Sequence, residues 1–412
     1  MSYVTTDHCR LCNSEKLDEV LHLAPTPPAN AFVAKEHLND TQATFPLDLY
    51  QCKDCGHAQL RTVVDPEELF RHYVYVSGTT QSFIDHFRRY ADVVVKRFKL
   101  TEHDLVVDIG SNDGTLLKAF KKHYLQVLGI DPAQDIARRC NDQQLETIPE
   151  FFDESTAERV IKDYGRATIV CANNVFAHCD DLRAFALNVK NILLEEGVFI
   201  FEVSYLVDMF KQTLFDMIYH EHVAYHSIGP LQKFFDSIGM ELFDVMQVPT
   251  HGGSIRCFVQ KKDGPYQKQG IIQTLIDEER QLGLDQPETL VRFGKEIEKK
   301  KKALQNLLWE LKSNGKSIAG YGAPAKATTL MYHFGLDDKL IDYVIDDNTL
   351  KQSLYTPGLH IPVYSNDYLL EHRPDYLLIL AWNFADLIIQ NNQDYKKQGG
   401  QFIVPLPNLR VE

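Results

Sequence analysis

A chain of 412 residues is longer than one hydrophobic core ordinarily serves, so two or three domains are expected. With 44% hydrophobic and 24% charged residues, the composition is that of a globular protein, and no run approaches the ~20 apolar residues a membrane helix needs. A formal net charge of -14 argues against a general nucleic-acid binder, because phosphate neutralisation takes clustered Lys and Arg.

The opening MSYVTTDHCRLCNSE has no basic-then-apolar leader, so a cytoplasmic location is expected. Residues 1–72 form the first predicted unit, too poor in periodic apolar segments to build a sufficient core unaided. A Pro-rich stretch at 24–28 reads as an extended loop. Cys9-x-x-Cys12 and Cys52-x-x-Cys55 each have the spacing that lets one turn grip a tetrahedral ion. Cys140, Cys171, Cys179 and Cys257 are scattered singly, which is no disulfide framework. Neither pair opens a helix after a strand, as a redox motif would. Four thiolates close a coordination shell and leave no open position, so Cys9, Cys12, Cys52 and Cys55 are predicted to hold structural zinc.

The second predicted unit, 73–284, begins with a helix carrying Phe83, Phe87, Ala91, Val94, Val95 and Phe98 on one stripe. Short apolar runs follow at 105–107, 127–130, 167–171 and 198–201, separated by helix-length segments. That alternation predicts an α/β domain with a parallel sheet covered on both faces.

Between the first two runs lies Asp108-Ile109-Gly110-Ser111-Asn112-Asp113-Gly114. Gly110 and Gly114 admit close approach of backbone to a ligand. The turn is not GxGxxG and no GK[ST] follows, so it is a poor phosphate cradle. Asp108 would repel pyrophosphate but attract a cationic sulfonium or amino group. Asp131, followed by Pro132, ends the second run, where a carboxylate can accept both hydroxyls of a ribose. Asp131 alone suits NAD equally well; beside a turn unsuited to phosphate it favours S-adenosylmethionine. Asn173, Asn174 and His178 fall at the end of the third run, on the same carboxyl edge of the sheet. Asn173 is placed to bond the adenosyl moiety and His178 to face the substrate.

Beyond the fourth run, residues 216–226 read DMIYHEHVAYH, dense in His, Tyr and Glu. The two histidines of HEH lack the i, i+4 spacing of HExxH, which disfavours catalytic zinc and leaves acid/base chemistry. A C–H beside a ketone is acidic enough for an imidazole to deprotonate, and a tyrosine hydroxyl can donate to the enolate oxygen.

The third predicted unit, 285–412, opens with a long amphipathic helix bearing Leu290, Phe293, Ile297, Leu304, Leu308 and Leu311. Its lysine run at 299–302 reads as a solvated face. GYGAPAK at 320–326 then follows a short apolar run, with further strand candidates at 343–346, 376–381 and 402–404. Strand, glycine turn, helix and strand again give a Rossmann-like pattern.

Two CxxC pairs, GSNDG, NNVFAH, YHEH, HGGS (251–254) and GYGAPAK together resemble the sugar C-methyltransferase family of deoxysugar biosynthesis, over essentially the whole chain. The resemblance implies a zinc module, a class I S-adenosylmethionine methyltransferase domain and a second Rossmann-like domain that helps bind a nucleotide sugar. It implies a dTDP- or GDP-linked 4-keto-6-deoxyhexose as substrate, methylated at C3, and a monomeric enzyme; the net charge and the lack of a long apolar run predict no nucleic-acid or membrane partner. It makes His222 the base, Tyr219 and Glu221 its partners, His178 a support, and Tyr75 (or Tyr73) a further tyrosine at the sugar. Tyr321, Lys326 and His251 become substrate contacts, Lys326 adding charge near a phosphate. The rival readings are a non-catalytic nucleotide-sugar-binding protein and an NAD-dependent epimerase or dehydrogenase; no Tyr-x-x-x-Lys pair near the first glycine turn supports the latter.

Overall fold

The computed structural model describes residues 3–71, 78 and 81–412. Among these, no helix is long and apolar enough to cross a membrane. The central unit is a seven-stranded sheet. Its strands in spatial order are Met240–Val248, Ser254–Lys261, Leu193–Ser204, Ala167–Asn173, Leu105–Ile109, Gln126–Ile130 and Thr147–Ile148. In chain order this is sixth, seventh, fifth, fourth, first, second, third. All neighbours are parallel except Ser254–Lys261, which runs antiparallel to both strands beside it.

The predicted parallel runs are all strands, because Val-, Ile- and Leu-rich segments this short can bury both faces only inside a covered sheet. The edge pair Met240–Val248 and Ser254–Lys261 escaped the sequence reading. Its polar positions Gln247, Arg256 and Gln260 interrupt the apolar runs, and Arg256 and Gln260 are nevertheless buried. The helix Gln81–Phe98 covers one face, burying Phe87, Tyr90, Ala91 and Val94 against Val106, Ile169 and Ile200. Phe83, Val95 and Phe98 pack at its margin, so the predicted stripe is the packing face, widened by Tyr90.

The amino-terminal unit is an antiparallel sheet of Leu17–Leu21, Leu49–Cys52 and Ala58–Leu60, and its fourth strand is Ala224–Tyr225 from the central unit. The module is thus completed by the residues directly after YHEH. The carboxy-terminal unit opens with the 27-residue helix Pro287–Ser313, which buries Leu290, Phe293, Ile297, Leu304 and Leu308. Lys299 pairs with Glu296 on its exposed side, as a solvated face should. A six-stranded sheet follows, ordered Val363–Tyr364, Val344–Ile345, Ile318–Tyr321, Tyr376–Ile379, Gln401–Val404 and Arg410–Val411. Only the last is antiparallel. The two-residue strands in this sheet are too short to carry a readable period.

Candidate active site and metal centre

The four sulfurs of Cys9, Cys12, Cys52 and Cys55 lie within 4.8 Å of one another. Cys9 Sγ is 3.6 Å from Cys55 Sγ, and Cys12 Sγ is 3.5 Å from Cys52 Sγ. A tetrahedral zinc with bonds of about 2.3 Å requires sulfur–sulfur edges of roughly 3.8 Å, so the cluster fits the ion with little adjustment. All four positions are taken by protein, which makes the centre structural.

At the carboxyl edge of the central sheet, Gly110 (φ 69°), Asn112 (φ 48°) and Gly114 (φ 71°) all take left-handed backbone. A Cβ on Gly110 would stand 2.3 Å from Val175 Cγ2, so glycine there is a steric requirement. This turn presents the Asn112 N–H to Asp131 Oδ2 at 2.8 Å, and Ala133 N–H meets Oδ1 at 2.9 Å. Each carboxylate oxygen therefore receives one backbone donor and keeps a lone pair for a ligand hydroxyl. Pro132 lies between Asp131 and the second donor, fixing the chain direction there. Asp108 is fully enclosed; burial, then the nearby Asp131 charge, pushes its carboxyl well above the usual range. Asp113, unassigned in the sequence reading, holds the helix start through the Thr115 N–H and accepts the Gly78 N–H at 3.1 Å.

Asn173 ends the neighbouring strand with both amide atoms buried and no hydrogen-bond partner, as expected of a group awaiting a ligand. Asn174, also left-handed (φ 56°), approaches His251 Nε2 at 3.3 Å. His251 is itself strained (φ 54°), and burial pushes its imidazole down to about 4.

The YHEH segment follows the 3-10 turn Phe215–Met217. His222 Nδ1 is 2.9 Å from the Met217 carbonyl, which can only accept, so Nδ1 carries the proton. Nε2 is consequently the acceptor, and the Tyr219 hydroxyl donates to it at 3.0 Å. Burial pushes His222 down to about 4, keeping it neutral and basic in form at neutral pH. His178 stacks on it, ring centroids 5.1 Å apart, with a buried and unpartnered Nε2. Burial first, then His222 and His251, hold His178 well below its ordinary value.

The other histidines of the segment serve packing: His220 Nε2 donates to the Pro46 carbonyl and His226 Nε2 to Phe176. Glu221 is buried and accepts from Asn30 of the amino-terminal unit at 2.7 Å. Asn30 sits just past the Pro-rich loop, and nothing local in the sequence marked it. Tyr75 and Tyr73 fall outside the described residues.

Lys326 points into the seam between the central and carboxy-terminal units. Its ammonium lies 3.3 Å from Asp216 Oδ2 and 4.1 Å above the Trp382 ring, whose N–H donates to the same carboxylate oxygen at 2.6 Å. Thr329, one helical turn on, donates to the Ile218 carbonyl at 2.6 Å. The helix Ala325–Phe334 thereby braces the turn that orients His222. Tyr321 closes the strand Ile318–Tyr321 and is buried. A further buried group, Glu202, bonds Arg256 Nε at 2.6 Å and His86 Nε2 at 2.9 Å, tying the covering helix to the sheet edge; no local pattern in the sequence marks it.

A seven-stranded sheet with its seventh strand inserted antiparallel, an acidic second strand tip and a glycine turn unsuited to phosphate define an S-adenosylmethionine-dependent methyltransferase, with S-adenosylmethionine as its methyl donor. Comparison with known proteins agrees. Family models match residues 9–70 ("Putative zinc binding domain"), 83–245 ("Methyltransferase domain") and 249–407 ("C-methyltransferase C-terminal domain"). C-methyltransferase NovU of Streptomyces niveus is 36% identical over 405 residues, covering 98% of this chain and 96% of the relative. The chain belongs to this C-methyltransferase family. Solved structures similar to it include the PH0226 protein of Pyrococcus horikoshii OT3, at 14% identity and TM-score 0.37 over 48% of this chain and 97% of that one. Magnesium protoporphyrin IX methyltransferase of Synechocystis PCC 6803 with bound SAH matches at 13% identity and TM-score 0.34, over 43% and 83%.

Proposed function

We propose that this enzyme methylates C3 of a dTDP- or GDP-linked 4-keto-6-deoxyhexose. The observation that carries the reading is the half-buried His222–Tyr219 pair, with the imidazole tautomer fixed so that Nε2 is the base. Asp131 would hold the donor's ribose hydroxyls and Asn173 its adenosyl part, while Asp108, favoured by burial in its neutral form, would offer the donor a hydrogen bond rather than a charge. When bound, S-adenosylmethionine supplies an electrophilic methyl group on sulfur.

His222 Nε2 takes the C3 proton, and the C–H electron pair becomes the enolate between C3 and C4. As substrate enters, the Tyr219 hydroxyl turns from Nε2 to the C4 oxygen and donates to the developing charge. The enolate carbon is thereby left as the nucleophile, and the donor held by Asp131 and Asn173 would supply the methyl group it takes up. His178, with Nε2 unbonded, offers a contact to a sugar hydroxyl. Glu221, next to His222 in the chain, is held by Asn30.

The domain division follows the same reading: a zinc module over 1–72, the methyltransferase domain over 73–284 and a Rossmann-like nucleotide-sugar domain over 285–412. A cytoplasmic monomer suits it. Incubation with S-adenosylmethionine and a panel of dTDP- and GDP-4-keto-6-deoxyhexoses tests it by mass and NMR. A gain of one methylene on C3 is expected; transfer to oxygen, or no product with any sugar, contradicts it.

A further inference from the structure

The backbone around Asp346 repeats the backbone around Asp131. In the central sheet, Gly110 N–H bonds the Ile130 carbonyl at 2.7 Å and Asp131 N–H bonds the third strand at Ile148. In the carboxy-terminal sheet, Gly322 N–H bonds the Ile345 carbonyl at 2.7 Å and Asp346 N–H bonds the third strand at Tyr364. Both glycines have positive φ, 69° and 87°.

The carboxylates are held alike. Asp346 Oδ2 accepts the Ala323 N–H from the glycine turn at 2.6 Å, and Oδ1 accepts the N–H of Asn348, two residues on, at 2.8 Å. For Asp131 the donors are Asn112 and Ala133, again one from the turn and one two residues on. The one difference is that the turn donor stands one residue past the glycine rather than two. The strand order around Asp346 is third, second, first, fourth, fifth, which puts a ligand crevice outside the end of Ile318–Tyr321.

Polar groups converge there. Tyr321 ends the first strand and interacts with Asn366 and Asn392, while Asn366 keeps its amide oxygen buried and unpartnered. Lys351 donates to the Ala323 carbonyl at 2.7 Å and lies close enough to Asp346 and Glu221 to feel both charges. Asp346 is half-buried, with one lone pair left on each oxygen.

We propose that Asp346 is a second ribose-reading carboxylate, binding the furanose hydroxyls of the substrate's nucleotide. The proposal rests on the nucleotide-sugar reading above and adds the residue that recognises the nucleoside. With the furanose on Asp346, the diphosphate runs past the start of helix Ala325–Phe334, whose Lys326 end abuts the turn orienting His222. The hexose then points toward the base.

The test is calorimetric binding to the full chain of GDP and dTDP, each against its analogue lacking furanose hydroxyls: 2′,3′-dideoxy-GDP and 3′-deoxy-dTDP. Whichever diphosphate binds should weaken by about tenfold or more on losing those hydroxyls, the expected effect of losing hydrogen bonds to a carboxylate. In Asp346→Asn that difference should shrink, with S-adenosylhomocysteine affinity unchanged as the check on folding. Equal affinity of parent and hydroxyl-free analogue for the unaltered enzyme overturns the proposal, as does failure of both diphosphates to bind. If hydroxyl-dependent binding is seen but no keto sugar is methylated, the nucleotide site stands and the reaction reading falls.

Discussion

The Tyr219 hydroxyl lies 3.0 Å from His222 Nε2, while the opposite ring nitrogen of His222 is pinned to the Met217 carbonyl. This arrangement fixes one tautomer and one ring orientation before any ligand arrives. It also makes two positions separable by mutation. His222→Asn, which keeps a polar group of similar reach, should abolish turnover while S-adenosylhomocysteine binding persists. Tyr219→Phe should lower kcat by roughly 10²–10⁴-fold with little change in donor affinity, as loss of a positioned proton donor does. Steady-state kinetics beside calorimetric binding would check both.

Acid should weaken the fold earlier than the active-site chemistry alone requires. Burial pushes His220, His222, His226 and His251 down to about 4. Unfolded histidine binds its proton near 6.5, so between pH 6.5 and 4 the unfolded chain holds more protons than the folded one. Stability therefore rises with pH through that window, by at most about 1.4 kcal/mol per pH unit for each such histidine. Denaturant midpoints between pH 4 and 7.5 should fall steeply on the acid side; a flat profile would contradict neutral burial.

Zinc removal should cost activity as well as stability. The zinc module's sheet takes Ala224–Tyr225 as a strand, and its Asn30 and Pro46 hold Glu221 and His220. Chelation, or Cys52→Ser, should lower Tm and turnover together, with zinc content measured by atomic absorption. Full activity in zinc-free protein would show that the module does not support the YHEH segment.

Lys326→Met leaves the fully buried Asp216 without its cation, and removing one partner of a buried pair costs about 3–5 kcal/mol. A large drop in Tm is expected. The double variant Lys326→Met with Asp216→Asn should recover much of it, because the stranded charge is gone. If the single variant keeps the original Tm, the pair is not a structural link between the units.

Asp131→Ala should weaken S-adenosylhomocysteine binding by about 10–100-fold, since hydrogen bonds to a charged acceptor contribute about 1.5–3 kcal/mol. Calorimetry measures it directly.

How much of this was legible in the sequence differs from element to element. The parallel strands, the Pro287–Ser313 helix and the four cysteines are carried by local patterns, because apolar runs, period and spacing are local properties. The edge pair Met240–Val248 and Ser254–Lys261 was not, since Arg256 and Gln260 are buried there by partners distant in sequence. The same holds at the site. Asp131 and the glycine turn announce themselves, but the direction of Lys326 does not. A lysine after a glycine turn suggests a phosphate contact, whereas its actual neighbours, Asp216 and Trp382, come from segments far apart in the chain. Asn30, Asp346 and Glu202 matter through pairings that only the folded chain reveals.

Proton exchange at the sugar carbon isolates the claim on which the mechanism turns. Enzyme, S-adenosylhomocysteine and a nucleotide-linked 4-keto-6-deoxyhexose in D2O should exchange the C3 proton for deuterium without methylation, followed by NMR, and His222→Asn should not. Exchange by His222→Asn at the original rate would place the base elsewhere.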